Sequence, residues 1–237
     1  MKRELAAVVF DLDDTLHDDT HAYQSAAREI SEEVAAAHGV DAETILAAFI
    51  EASSRYWRAL GVEHLQTRIA DSRYELWTSG FAAVGINDEQ TIRDAVLRYG
   101  EYRRKHYSPF PGALELLDKL RDRGMKLGLI TNGFAETHYE KLKLLGLESA
   151  FDAVLCADEV GMVKPDPKIF LHACELLATP PQKAAMVGDR YFRDIVGARE
   201  AGLFTIYLDV HAEKTPPDKA PDVSVKGIEE VLAALLP

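Results

Sequence analysis

Short runs of aliphatic and β-branched residues, separated by stretches with a helical spacing of apolar residues, recur along most of this chain. Runs of this length, bounded by turn residues, indicate strands that are buried on both faces. A helix between consecutive strands is typical of βαβ units and predicts a parallel sheet with helices on both faces. The predicted strands are 6–10, 126–130, 153–156, 184–187 and 205–208, and the predicted helices of this part are 113–123, 135–145, 168–177, 192–201 and 228–235.

Residues 18–107 interrupt this alternation. They contain no run that predicts a strand, and they have the pattern of consecutive helices separated by Gly39, Gly61 and Gly85. Pro109 and Pro111 follow this segment and disfavour helix, so the chain is expected to return to the sheet there. We therefore predict a doubly wound α/β core of the Rossmann-like type, 1–17 and 108–237, with an all-helical domain, 18–107, inserted into it.

The charge of the chain restricts its partners. With 39 acidic and 27 basic residues among 237, the formal net charge is −12. Such a surface repels the phosphates of nucleic acids, so we predict no nucleic-acid partner. The apolar run at 5–10 is too short for a secretion signal or a membrane span, which predicts a cytoplasmic protein without membrane association. Cys156 and Cys174 lack the spacing of a metal site, and we expect both to be reduced.

Polar side chains follow four of the predicted strands. They are Asp11 and Asp13 after the first, Thr131 and Asn132 after the second, Lys164 after the third and Asp189 after the fourth. Ligands of open parallel sheets bind beyond the carboxyl ends of the strands, so we expect these groups to converge. Carboxylates about 4 Å apart repel by ~4 kcal/mol at an effective dielectric constant of about 20, and a divalent cation reverses this sign. Carboxylate oxygens suit Mg²⁺, whereas Zn²⁺ prefers His and Cys.

Four motifs in this order resemble those of the haloacid dehalogenase-like (HAD) hydrolase superfamily. They are Asp11-Leu12-Asp13-Asp14-Thr15-Leu16, Leu129-Ile130-Thr131-Asn132-Gly133, Lys164-Pro165-Asp166-Pro167, and Gly188-Asp189 followed five residues later by Asp194. The resemblance covers the whole chain, because the helical insertion is placed like the C1 cap of the superfamily's first subfamily. Residues 120–205 are similar to its nucleotidase and sugar-phosphate phosphatase branches. The resemblance implies a cap domain that opens to admit substrate and closes for the chemistry.

The resemblance also implies a phosphatase that forms an aspartyl-phosphate intermediate. Asp11 would be the nucleophile, because a carboxylate attacks phosphorus without prior deprotonation. Asp13 would protonate the leaving oxygen and later deprotonate water. Thr131 and the backbone N–H of Asn132 would bind a phosphoryl oxygen near the start of the next helix. Lys164 would neutralise charge on the transferred group.

Mg²⁺ is the cofactor that the resemblance implies. Its ligands would be Asp189, one oxygen of Asp11 and the main-chain carbonyl of Asp13, with Asp194 in the coordination shell or just behind it. Position 190 departs from the common pattern, because Arg190 stands where the family often has Ser or Thr. The departure affects the hydrogen bonds around the metal ligands and leaves the aspartates in place.

Several alternatives stay open at this point. The substrate is predicted to be a small phosphomonoester, either a nucleoside monophosphate or a sugar or glycolate-type phosphate, and the protein a monomer or a homodimer. A 2-haloacid dehalogenase on the same fold is disfavoured by Asp13, because a halide leaving group needs no proton. A phosphomutase would keep every motif. A non-catalytic binding protein would gain nothing from clustered carboxylates that repel each other.

Overall fold

A computed structural model describes residues 4–59, 61, 68–211, 213, 215–216 and 219–235 of the protein. The chain forms two compact units. One unit comprises Met1–Asp18 and Pro109–Pro237, and the other comprises Asp19–Ser108. These limits differ by one residue at each junction from the limits predicted for the core and the inserted helical domain.

The unit Asp19–Ser108 is helical, and its described residues form no strand. Its helices are α1 (Asp19–His38), α2 (Ala42–Arg58), α3 (Ile69–Ala82) and α4 (Glu89–Lys105). Asp41 and Asp88 begin α2 and α4 by accepting a hydrogen bond from the backbone N–H three residues later, which satisfies one of the free donors of a helix start. Phe49 and Trp77 stack with ring centroids 4.1 Å apart in the apolar core of this unit.

The other unit contains a six-stranded sheet in which every neighbouring pair is parallel. Its strands are β1 (Ala7–Phe10), β2 (Lys126–Thr131), β3 (Ala153–Cys156), β4 (Ala184–Gly188), β5 (Phe204–Leu208) and β6 (Val223–Val225), in the order β3-β2-β1-β4-β5-β6. All four residues of β1 are buried because β1 lies between β2 and β4 and its faces are covered. The predicted fold class is confirmed. The short β6, whose Ser224 is exposed, was not predicted.

Most helices of this unit lie between consecutive strands, and the last one follows β6. They are α5 (Ala113–Asp122), α6 (Ala135–Leu144), α7 (Ala157–Val160), α8 (Pro167–Leu176), α9 (Gly197–Glu200) and α10 (Ile228–Leu235), with a 3₁₀ turn at Pro181–Lys183 and a π-helical turn at Tyr191–Val196. The regular helix predicted over 192–201 is wrong in its first half. The wider π-helical turn contains Asp194, whose buried carboxylate accepts a hydrogen bond from the backbone N–H of Arg190 at 2.9 Å, and such turns are frequent at functional sites. No helix within the described residues is long and apolar enough to cross a bilayer.

The position of β1 determines where polar residues can meet. Phe10 at the end of β1 pairs with Leu129 of β2 on one side and Val187 of β4 on the other. The next residue, Asp11, donates its backbone N–H to the carbonyl of Val187 at 3.0 Å. After β1 the chain continues to β2 on one side, and β4 lies on the other side. This is the switch point of the strand order, where ligands of such sheets bind.

Candidate active site

Three carboxylates converge beyond the carboxyl ends of β1 and β4. Each of Asp11, Asp189 and Asp194 offers an oxygen atom that lies within 4.8 Å of those of the other two. Asp11 follows β1 and Asp189 follows β4, so the parallel register of these strands places them side by side. Asp194 reaches the same point from the π-helical turn. All three side chains are buried.

Lys164 provides the positive charge nearest to this group. Its Nζ lies 2.5 Å from Asp11 Oδ1 and 2.6 Å from Asp194 Oδ1. The lysine is only 4% exposed, so both ion pairs are shielded from water. The loop after β3 therefore places the charged amino group of Lys164 between Asp11 and Asp194.

The pKa values of these groups reflect burial combined with like charges. Burial raises the pKa of Asp11 well above its usual value, Lys164 opposes this shift, and the neighbouring Asp194 and Asp189 add to it. The pKa of Asp194 is raised by burial as well, again against the effect of Lys164. Burial alone would lower the pKa of Lys164, but Asp11 and Asp194 raise it. Lys164 thus compensates the negative charges of Asp11 and Asp194 only partly.

Gly188, the last residue of β4, makes room for Asp194. A Cβ atom at this position would lie 2.4 Å from the Asp194 carboxyl carbon, closer than any real contact. Because Asp194 is buried and bonded to Lys164, its side chain has no space to withdraw. The approach of Asp194 to the other carboxylates therefore requires glycine at 188.

Gly188→Ala is expected to destabilise the protein by ~1–3 kcal/mol, as overpacking does in other interiors, and to reduce metal affinity by displacing Asp194. Urea unfolding and magnesium titration measure the two effects. Gly227→Ala is the matched control, because a Cβ there meets only the end of the exposed Glu229 side chain. Equal stability and metal affinity in the two variants would contradict the proposed crowding at Gly188.

Thr131 and Asn132, at the end of β2, are both buried. The Thr131 hydroxyl accepts a hydrogen bond from the backbone N–H of Gly133 at 3.1 Å and keeps its own hydrogen for donation. Asn132 connects to the lysine loop, because its amide donates to the Lys164 carbonyl at 2.9 Å and its Oδ1 accepts from the Lys164 N–H at 2.8 Å. This positioning role of the Asn132 side chain was not predicted from the sequence.

Asp13 is not part of the three-carboxylate group, since its carboxyl is held by residues of α6. Lys141 Nζ lies 2.5 Å from Asp13 Oδ1, and His138 Nε2 lies 3.2 Å from Asp13 Oδ2. Neither partner was singled out from the sequence. The spacing of three residues on a helix that directly follows the Thr131-Asn132-Gly133 motif was the available signal, because residues three apart share one helix face.

Asp189 has three further partners. Thr15 Oγ1 donates to its Oδ1 at 3.0 Å, while His211 Nε2 and Arg190 Nε lie 2.8 Å and 3.1 Å from its Oδ2. Arg190 also reaches Asp14 at 3.3 Å, so the unusual residue at position 190 belongs to the hydrogen-bond network around a predicted metal ligand. His211 was missed. It lies three residues after β5, and inspecting the end of this strand would have found it.

The donor set fits Mg²⁺. Three buried carboxylates supply hard oxygen atoms within bonding reach of one ion, and no thiol or imidazole is a member of that group. Burial and, to a smaller degree, the neighbouring carboxylates raise the pKa of Asp11, and a divalent cation bound at this point would favour its ionised form. Asp11, Asp189 and Asp194 would hold the ion through their side chains, and the predicted contribution of Asp13 is its main-chain carbonyl.

Comparison with known proteins identifies the family of the chain. The family model for haloacid dehalogenase-like hydrolases matches residues 5–202. The chain is 30% identical over 235 residues to a glyceraldehyde 3-phosphate phosphatase of Methanopyrus kandleri, with 96% of each chain covered. It is 34% identical over 193 residues to a phosphoserine phosphatase of Thermus thermophilus, with 81% of this chain and 77% of the relative covered. The chain belongs to the haloacid dehalogenase-like hydrolase family.

A solved structure shares the fold. The crystal structure of the HAD-hydrolase YfnB from Bacillus subtilis, bound to magnesium, superposes with a TM-score of 0.78 at 22% identity, over 99% of both chains. The predicted family is confirmed by the family match and the relatives. The predicted enzyme class, a phosphatase, is supported by the same relatives.

Proposed function

We propose that this protein is a magnesium-dependent phosphohydrolase that cleaves a small phosphomonoester through an aspartyl-phosphate intermediate on Asp11. The observation that carries the proposal is the buried Asp11 carboxylate at the end of the central strand, 2.5 Å from Lys164 and grouped with Asp189 and Asp194. A structural salt bridge alone would need one carboxylate. Here Lys164 pairs with Asp11 and Asp194, Arg190 pairs with Asp189, and the three clustered carboxylates favour a site that also receives a divalent cation.

In this proposal the residues divide the reaction between them. Asp11 attacks phosphorus in its ionised form, which Lys164 favours by its charge. Lys164 then stabilises the charge on the transferred phosphoryl group, while Thr131 and the backbone N–H of Asn132 bind one of its oxygens. Asp13 protonates the leaving oxygen and afterwards takes a proton from the water that hydrolyses the intermediate. Mg²⁺, when bound, supplies charge neutralisation between Asp11 and the phosphate oxygens.

Asp189 and Asp194 act as metal ligands in the proposal, and their surroundings support this role. The bonds from Thr15, His211 and Arg190 hold Asp189 in one orientation. Such bonds to a ligating carboxylate tune metal affinity in other sites. The π-helical turn and Lys164 hold Asp194.

The proposed substrate is a small phosphorylated metabolite and not a nucleic acid. The relatives described above are named for glyceraldehyde 3-phosphate and phosphoserine, and both compounds are small phosphomonoesters. Nucleoside monophosphates and sugar or glycolate-type phosphates belong to the same class. We further propose that the helical unit Asp19–Ser108 is the cap domain that selects among them. The cytoplasmic location and the choice between monomer and homodimer stay predictions.

Phosphate release from p-nitrophenyl phosphate, measured with and without Mg²⁺, tests the proposal directly. Turnover that depends on the metal is expected, and its absence in the wild type would remove the hydrolase assignment to this site. A screen of several dozen phosphometabolites then identifies the substrate. In the same screen a phosphomutase would isomerise a sugar phosphate without releasing phosphate. A separate assay with a 2-haloacid would detect a dehalogenase, which would release halide without any metal.

Mg²⁺ is expected to raise the free energy of unfolding by about 2.7 kcal/mol at roughly 100 times its Kd, because it binds the folded carboxylate cluster and not the unfolded chain. The pKa values of Asp11 and Asp194 are raised by burial, so protons displace the metal as the pH falls through these values. The stabilisation should therefore shrink toward acid pH. Thermal unfolding with and without millimolar Mg²⁺ measures it.

Two controls accompany the melting experiment. KCl at the same ionic strength should leave the melting temperature nearly unchanged, and Asp189→Asn should lose most of the response to Mg²⁺ because it removes one ligand charge. A melting curve that does not respond to Mg²⁺ at neutral pH counts against the metal site.

A further inference from the structure

Helix α6 buries two polar side chains that face a single carboxyl group. His138 and Lys141 are three residues apart and share one face of the helix. Lys141 is 1% exposed and His138 is 5% exposed. Lysine is almost never fully buried unless it is paired, because removing its charge from water is unfavourable. Their shared partner, Asp13, keeps 31% of its side chain exposed.

The two contacts hold the two oxygens of Asp13 separately. Lys141 Nζ is 2.5 Å from Oδ1, and His138 Nε2 is 3.2 Å from Oδ2. One contact would only bring the carboxyl group close to α6. Two contacts to different oxygens also restrict rotation about the bond that joins the carboxyl group to Cβ, which selects the direction in which each oxygen points.

The histidine is itself held in place. Its Nδ1 lies 3.0 Å from the carbonyl oxygen of Phe134, one helical turn earlier, so Nδ1 donates and Nε2 is directed at Asp13. The absence of a side chain at Gly133 makes this ring position accessible, because a Cβ there would lie 1.8 Å from His138 Cε1. Gly133 of the second motif therefore leaves the space in which the His138 ring contacts Asp13 of the first motif.

We propose that Lys141 and His138 are positioning residues that hold the Asp13 carboxyl group in the orientation from which it protonates the leaving oxygen. This inference rests on the proposed function, in which Asp13 is the general acid. Lys141 and His138 do not touch the reacting atoms in this proposal. They act through Asp13, and their replacement allows its carboxyl group to rotate away from the leaving oxygen.

Two substrates with different leaving groups distinguish a positioning role of Lys141 and His138 from a purely structural role. p-Nitrophenolate departs readily without a proton, whereas the poorer leaving group of phenyl phosphate depends much more on general acid catalysis. The ratio of kcat/KM for p-nitrophenyl phosphate to kcat/KM for phenyl phosphate therefore reports how well Asp13 delivers its proton. A loss of folded protein lowers both values by the same factor and leaves this ratio unchanged.

Lys141→Met preserves most of the side-chain volume and removes the charge. We expect it to lower kcat/KM for phenyl phosphate by about 10- to 100-fold, part of the range for general acid catalysis, and to lower that for p-nitrophenyl phosphate by about 3-fold or less. Lys141→Arg should restore much of the ratio. His138→Ala should shift the ratio in the same direction by a smaller factor, because its contact is longer. Lys143→Met, on the exposed side of the same helix, should match wild type.

The possible outcomes distinguish a failure of the proposed function from a failure of the proposed positioning role. If wild type hydrolyses neither ester, or Asp11→Asn hydrolyses both undiminished, the proposed function itself is wrong. If wild type is active and Asp11→Asn is not, but Lys141→Met and His138→Ala keep the wild-type ratio, the positioning role is overturned. A variant that folds less well is still informative, because the ratio is independent of the concentration of folded enzyme.

Discussion

Asp11→Asn is expected to abolish metal-dependent phosphate release, lowering kcat by roughly 10⁴-fold or more, the scale found when a covalent nucleophile is removed. The amide has nearly the size of the carboxylate, but it is a far poorer nucleophile and carries no charge for the metal or for Lys164. Phosphate release from p-nitrophenyl phosphate measures the loss. Mass spectrometry of wild type after an acid quench should also detect one added phosphoryl group, which the variant lacks.

The exposed Asp122→Asn on α5 is the matched control and should keep wild-type activity. The asparagine at 11 also removes one of the mutually repelling buried charges, so the variant should fold at least as stably as wild type in the absence of metal. An active Asp11→Asn protein would falsify the assignment of Asp11 as the nucleophile. If Asp11→Asn loses both activity and folding, the acid-quench measurement on wild type decides whether a phosphoryl group is attached to the protein.

Lys164→Met is expected to produce the largest loss of stability, about 3–5 kcal/mol in the free energy of unfolding, because it leaves two buried carboxylates without their shared cation. Asp11 and Asp194 have raised pKa values in the folded protein, caused first by burial and opposed by Lys164. The folded state then retains protons that the unfolded chain has released, so stability falls as the pH rises through those values.

The variant removes the opposing effect of the lysine, and the loss should therefore be larger at about pH 8 than at about pH 5. Urea unfolding in EDTA at both pH values measures it. Lys168→Met at an exposed position of α8 controls for the loss of one positive charge and should unfold like wild type. A Lys164→Met protein as stable as wild type at both pH values would mean that the two ion pairs contribute little, and the proposed charge balance of the site would be wrong.

The sheet was predictable because each long strand is a continuous apolar run. Residues 7–10 and 184–187 are buried on both faces, so hydrophobicity alone marks them. The three residues of β6 include an exposed serine and carry too little apolar signal for a prediction. The π-helical turn at Tyr191–Val196 was also not predictable, because its apolar spacing resembles that of an ordinary helix over so few residues.

The site was predictable to the extent that strand ends determine it. The structure brings together Asp11, Asp189 and Lys164, which follow parallel strands, and Asp194 joins them from the π-helical turn, whereas the carboxyl group of Asp13 contacts α6. The roles assigned to them from the family resemblance stay predictions until the variants are measured. The partners of Asp13 were not found, because Lys141 lies in the middle of a helix whose other lysine, Lys143, is exposed. The three-residue spacing places Lys141, and not Lys143, on the helix face of His138, but that this face meets Asp13 is decided by the fold.

The sequence by itself determined the parallel sheet, the inserted helices and the set of polar residues that follow the strands, because burial and periodicity are local properties of a chain. Only the tertiary structure decided which charges meet. Lys164 pairs with Asp11, and Lys141 of α6 pairs with Asp13. In each pair the two residues are more than a hundred positions apart in the sequence. Electrostatic interactions depend on distance in space and on burial, and neither can be read from the order of residues.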